Sequence, residues 1–298
     1  MAIDKKECSE MKKDFVYVLI TAILFVTLEP VSKLIANDVT PYAITLWRFI
    51  IGSLMLIPPA VAKIKREKIQ ITPKDVGIMT VLGVLFICVS MVALQLAVKK
   101  ADSPSLIAII FSSNSIFTIL LAMLIVKEKL TTNKKLALLF GIAGVAVCAD
   151  FSAGTNFESV ALGIFAALSF SLYTVLSQKF MKKLGGIIQT SMVFLIGSVV
   201  LLVALLIGRV DIMPFFEPTD MAILCYLGIF VTGVGYVCYF KGIEKGGAIM
   251  GSLAFFIKPI LTPFVTWTVN GITPDIKVFV AVACIVLASY FATFRKKI

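Results

Sequence analysis

Four charged residues stand among apolar neighbours: Glu29, Lys33, Arg48 and Lys258. Their types define what they could do. A carboxylate held away from water can take up a proton or a cation, and proton coupling through Glu29 is one expectation. The other is a structural pair with Lys33, one helical turn away. Lys33 lies close to Asn37, so it either joins a binding site or reaches the interface with its long stem. Arg48 could pair with Glu29 or receive a substrate carboxylate in a two-pronged contact. Lys258 is flanked by long apolar runs on both sides, where reaching water is hardest. It either contacts an anionic group or pairs with Glu29. Three cations against one anion leave a surplus of two positive charges, which suits an anionic or zwitterionic solute. Asn114, within Ser112-Ser113-Asn114-Ser115, offers a donor and an acceptor, and Tyr173 follows a serine-dotted stretch, Ser169 to Ser171. These hydroxyls and amides read either as a cavity wall or as a helix-packing seam.

The elements that position these groups are long and apolar. Of 298 residues, 59% are hydrophobic and 15% charged, with a mean hydropathy of +1.02. Soluble domains carry about 25% charged residues. A bilayer crossing needs about 20 apolar residues. Ten candidate helices follow: 15–36, 41–62, 76–98, 103–126, 135–151, 160–180, 187–207, 221–239, 248–269 and 276–294. Their breaks carry Pro, Gly and Asn-Asp signals, including Pro58-Pro59 and Gly246-Gly247. Ser103-Pro104 reads as a helix start with serine as cap. The chain is expected to be an all-α integral membrane protein with a cytoplasmic tail, residues 1–14.

Most of the 28 Lys and Arg residues fall in loops on one side if the N-terminus is cytoplasmic. The other side holds only Lys99, Lys100, Arg209 and Lys277. This bias places both termini in the cytoplasm and the chain in the cell membrane. It also explains the net charge of +11 without nucleic acid. The six cysteines form no CxxC pair, and there is no histidine. Neither a metal centre nor a cofactor is expected. Membrane lipids and a small-molecule solute are the expected partners, and the sequence leaves the oligomeric state open.

The halves look alike. Val98-Lys99-Lys100-Ala101 and Ile243-Glu244-Lys245-Gly246 close the third and eighth helices. Leu130-Thr131 and Ile272-Thr273 precede the last helix of each half. Five helices per half reverse the second half in the membrane, an arrangement found in many secondary transporters. The expected units are residues 15–151 and 152–298.

These residues resemble the EamA family of the drug/metabolite transporter superfamily over nearly the whole chain. The resemblance rests on Lys33, on Arg48 in Trp47-Arg48-Phe49 and on the polar middle of helix 4. It rests also on Glu128 in Val126 to Thr131, on Ala167 to Tyr173, and on Pro259 in Lys258 to Pro263. Phe25-Val26 stands where the family usually shows Trp-Gly, and Asn270-Gly271 where a glutamate is common. The resemblance implies two inverted five-helix repeats and export or uptake of small metabolites, often amino acids or related solutes, without ATP hydrolysis. The alternative is a membrane-embedded enzyme or scaffold acting on a lipid or small solute. Against an enzyme stand the missing histidine, the lack of a GxSxG elbow or P-loop, and a single carboxylate inside the spans.

Overall fold

The computed structural model describes residues 5–126, 132–148, 156–212 and 217–293. Glu128 with its turn, the junction between the two expected halves at 151–152, and Arg295 to Lys297 lie outside the described residues. Everything described as regular structure is helical: α1 (Lys5–Val26), α2 (Leu28–Leu34), α3 (Pro41–Glu67), α4 (Pro73–Gly83), π1 (Val84–Met91), α5 (Val92–Lys100), α6 (Pro104–Ser112), α7 (Asn114–Val126), α8 (Thr132–Cys148), α9 (Phe157–Leu184), α10 (Gly186–Ile207), α11 (Pro218–Tyr226), π2 (Leu227–Val234), α12 (Gly235–Asn270) and α13 (Ile276–Thr293). Among these residues six stretches are long and apolar enough to cross a bilayer: Val16–Leu34, Pro41–Glu67, Pro73–Lys100, Phe157–Ser177, Gly186–Ile207 and Pro218–Tyr239.

Burial is inverted relative to a soluble protein. Leu139, Ile142 and Ile207 are exposed, whereas Glu29, Arg48 and Lys258 are buried at 0–2% exposure. Hydrocarbon tolerates the exposed side chains, and only neighbouring helices tolerate the charges.

Several elements differ from expectation for local reasons. Pro30 has no N–H to give the carbonyl of Val26. The first span accordingly breaks there, into α1 and the seven-residue α2. Thr27 bridges the break, with its hydroxyl on the Leu24 carbonyl (2.8 Å) and against the Tyr226 hydroxyl (2.9 Å). The fourth helix is also broken. The Ser113 hydroxyl and amide both bond the Ile110 carbonyl (2.6 and 3.1 Å), a tight turn between α6 and α7. Ser103 sits at the cap position before Pro104, but its hydroxyl bonds that of Ser105 and caps no amide. Pro58 and Pro59 lie inside α3 and do not end it.

The 36-residue α12 would span about 54 Å if straight, well beyond one bilayer core. Its contacts show that it folds back. Descending α1, Phe25 meets Tyr236 and Tyr239, and Tyr17 meets Lys241. The path then returns: Val18 and Ala22 cluster with Ala254, Glu29 bonds Lys258, and Pro30 accepts from Asn270.

The two halves share a register. At one constant separation along the chain stand Phe25/Phe170, Thr45/Thr190, Phe49/Phe194, Gly52/Gly197, Asp75/Asp220 and Leu82-Gly83/Leu227-Gly228. The geometry follows. π1 and π2 interrupt equivalent helices, each after a proline-started first segment. The crossing of α4 on α10 brings the Gly83 and Gly197 backbones together, and its mate sets Gly52 against Thr232 and Gly228 against Ile51. The Ser90 hydroxyl bonds the Ala166 carbonyl (2.8 Å), and Thr21, the mate of Ala166, bonds the carbonyl of Gly235, the mate of Ser90 (3.3 Å).

Candidate functional site

Glu29 stands beside a helix break, Arg48 reaches the end of a wide turn, and Lys258 precedes a proline. Glu29 stands in the first turn of α2, immediately after the break at Thr27. Its Oε1 accepts a hydrogen bond from Lys258 Nζ at 2.6 Å, with side-chain exposures of 0% and 2%. Glu29 Oε2 has no partner. Lys258 immediately precedes Pro259 on α12, and its ammonium also lies 5.4 Å from the Phe111 ring centre. Arg48 on α3 is 2% exposed. Its guanidinium stacks on Phe49 at 4.6 Å and points Nη2 at the sulfur of Met91, the last residue of π1 (3.3 Å). Nε and Nη1 have no partner. Glu29 and the Tyr236 phenol lie within electrostatic reach of Arg48.

Two positive charges and one negative charge therefore share a buried region, with free hydrogen-bonding atoms of both signs. A buried ion costs several kcal/mol unless charge and hydrogen bonds offset it. Arg48, with two nitrogens unpartnered, is the group furthest from being satisfied. A carboxylate or similar anion would complete it, and Glu29 Oε2 could accept from an ammonium.

Aromatic rings wall the region. Phe111 meets Phe170 (5.3 Å), Phe170 and Tyr173 meet Phe86, and Phe86 meets Phe49, Phe194 and Tyr236. The rings thus run from beneath Lys258 to beneath Arg48. π1 supplies Phe86 and Met91, and π2 ends next to Tyr236. A wide turn shifts the side chains after it around the helix, and such bulges often mark functional sites.

The structure brings Glu29, Arg48 and Lys258 together and places Tyr173 in the aromatic wall. Asn114 lies one turn past Phe111, 4% exposed, with Nδ2 unpartnered and its carbonyl accepting from Ser171 (2.6 Å). Lys33 sits apart. Half-buried, its ammonium bonds the carbonyls of Val98, Lys99 and Ala101 (3.2, 3.0 and 2.6 Å), satisfying orphan acceptors at the end of α5. The surplus near the site is therefore one positive charge, not two. Trp47 donates to the Ile212 carbonyl (2.8 Å), and Gln95 donates to Ser32 (3.2 Å), steadying α2.

The model of the EamA-like transporter family matches residues 13–149 and again 158–294. The chain belongs to the EamA-like transporter family. An uncharacterized transporter of Clostridium kluyveri is 30% identical over 288 residues, covering 94% of this chain and 92% of that protein. The uncharacterized transporter YyaM of Bacillus subtilis is 25% identical, covering 86% and 85%. A crystal structure 18% identical in sequence has a TM-score of 0.68 over 95% of this chain and 96% of that one, which shows the shared fold. The chain is a multi-pass membrane transporter.

Residue types alone did not reveal the aromatic wall of this EamA-like chain. Phe49, Phe86, Phe111, Phe194 and Tyr236 read as ordinary apolar filling in spans rich in phenylalanine. A signal existed in the repeat register, since Phe25/Phe170 and Phe49/Phe194 recur in both halves. Asp75 was also missed. It closes a capping box with Thr72 and takes both oxygens to Lys183 (2.7 and 2.5 Å). Its own repeat, Asp220, was the clue.

Proposed function

We propose that the chain is a secondary transporter of a small anionic or zwitterionic metabolite, an amino acid or a related solute. The observation that carries this reading is Arg48: a fully buried guanidinium with two free nitrogens, beside a Lys258–Glu29 pair that leaves one carboxylate oxygen free. The solute's anionic group sits on Arg48, with Lys258 and Asn114 nearby, and any ammonium meets Glu29. Tyr173 and the rings around Phe86 wall its body. Ten spans in two inverted halves, residues 15–151 and 152–298, rock to expose the solute to either side, with both termini in the cytoplasm of a cell-membrane protein. The shared repeat register and the reversal within α12 support this topology. Neighbouring anion and cation sites suit binding and release, and among the described residues no nucleophile–base pair stands beside them, which supports the carrier reading.

The test is a thermal-stabilisation screen of the purified protein with carboxylate and amino-acid solutes, followed by counterflow in proteoliposomes. A solute that binds the folded state raises its apparent stability. Arg48→Gln should remove both the stabilisation and the counterflow. Wild-type stabilisation in that variant would remove Arg48 from the site. Glu29→Gln should abolish any pH-driven component while counterflow persists, and unchanged proton-driven transport would retire Glu29 as the coupling group.

A further inference from the structure

A buried site has a charge sum as well as a geometry. Glu29 and Lys258 cancel, wherever the proton between them lies, since they stand 2.6 Å apart and both are sealed from water. Arg48 is left over. It is 2% exposed, and its near contacts are neutral: the Phe49 ring and the Met91 sulfur, a weak acceptor. Among the described residues the carboxylate whose charge reaches it is Glu29, and that one is already bonded to Lys258. Arg48 Nε and Nη1 bond nothing.

The repeat supplies no counter-charge either. The mates of Arg48, Glu29 and Lys258 are Val193, Thr174 and Ser113, all neutral. A guanidinium cannot shed its proton to relieve the imbalance. The sealed region, as far as the described residues define it, therefore carries one net positive charge.

We infer that the site is completed by a solute with one net negative charge, and that the protein is an exchanger of such solutes, its loaded site crossing the membrane far faster than its empty one. This rests on the transport reading and deepens it. Alternating access passes through a conformation closed to both sides, and the three charges are closed off in that way here. With a monoanion on Arg48 the sum is zero and the free nitrogens are bonded. Without one, a lone cation has to be sealed in a medium of low dielectric, which is costly. A zwitterion brings Arg48 a carboxylate but adds its own ammonium, so the sum does not fall. A dianion overshoots. Two kinds of solute meet the count: a monocarboxylate whose neutral donor bonds Glu29 Oε2, and an acidic amino acid whose ammonium does so.

Two measurements test this. The first needs no solute. Met91→Glu sets a carboxylate beside Arg48 Nη2, and Met91→Gln sets a neutral side chain of the same size there. The glutamate variant should melt at the higher temperature. A glutamate variant no more stable than the glutamine one would show that Arg48 is already balanced, and would overturn the inference. The second uses the native protein in proteoliposomes. Thermal stabilisation is read over a panel of small carboxylates and amino acids that differ in net charge, with glutamine, glutamate and succinate as a size-matched series. The strongest stabilisers should be monoanions, and a zwitterion or dianion at the head of the series would overturn the inference. Efflux of the best stabiliser is then followed into medium with and without the same solute outside. Outside solute should speed efflux about 100-fold or more. Exchange should ignore an imposed membrane voltage, because the loaded site is neutral. The slow efflux without outside solute should follow the voltage, because the empty site is charged. Equal efflux in both media would remove the exchange mode and leave the transport reading. No movement of any panel solute, with Met91→Glu still the more stable variant, would remove the transport reading and leave Arg48 as an unbalanced charge.

Discussion

Two lysine–carboxylate pairs in this chain share one chemistry and differ in how completely they are satisfied. Asp75 uses both oxygens on Lys183 and also accepts from the Thr72 amide (2.8 Å) and hydroxyl (2.7 Å). Lys183 remains half in water, at 53% side-chain exposure. Glu29 and Lys258 are sealed from solvent, yet Glu29 keeps one oxygen free, and Arg48 nearby keeps two nitrogens free. A saturated pair at a helix end fastens structure. An unsaturated pair in hydrocarbon is poised to receive a ligand, because every further hydrogen bond there replaces nothing.

The largest effect expected from this contrast is on stability. Removing one member of the sealed pair, by Glu29→Ala or Lys258→Ala, strands the other charge. Thermal unfolding should show a loss of roughly 3–5 kcal/mol for each single change. Replacing both by Met should recover most of that loss while solute binding stays weak. A double variant no more stable than the singles would show that the two charges are not coupled.

The glycine crossings come next. Gly197→Ala drives a Cβ into the backbone of Gly83, with contacts near 3.0 Å. Gly52→Ala meets the Thr232 methyl at 2.5 Å and its Cβ at 2.9 Å, and Thr232 is itself buried and held by its hydroxyl on the Leu227 carbonyl (2.9 Å). Overpacking costs about 1–3 kcal/mol where neighbours cannot move. Folded yield and melting temperature should therefore fall for both variants, and more for Gly52→Ala, whose contacts are shorter. The reverse order would mean that Thr232 gives way more readily than the Gly83 backbone.

Asp75→Asn should lower the melting temperature slightly, since Lys183 can turn to water and asparagine still accepts from Thr72. A collapse as deep as that of Lys258→Ala would erase the distinction between the two pairs. Lys33→Ala should be smallest, about 0.3–1 kcal/mol from a lost contact with helix-end carbonyls. Solute affinity should stay unchanged, and a drop in affinity would return Lys33 to the site.

Much of the candidate site was legible from residue type. Glu29, Arg48 and Lys258 stood out because hydrocarbon makes charge expensive, and the structure gathers all three. Lys33 satisfied the same criterion and sits elsewhere. A lysine stem reaches as far as a whole helical turn, so its position in a run says little about where its ammonium ends. The aromatic wall was hidden for the opposite reason. In lipid a phenylalanine facing outward and one facing inward look the same in composition. The broken fourth helix was hidden too, because Ser113 turns the chain with a local bond that a run of serines does not announce.

By itself, the sequence determined that this protein lives in a membrane, that it is helical, and that a few ions must turn inward. Those follow from the cost of placing charge and unpaired backbone in hydrocarbon, which depends on residue type and run length alone. Only the tertiary structure decided that Glu29 meets Lys258, 229 residues away, and that Lys33 caps α5. Such partnerships depend on which faces of distant helices come to lie together, and that is set by glycine crossings and wide turns acting between segments far apart in the chain.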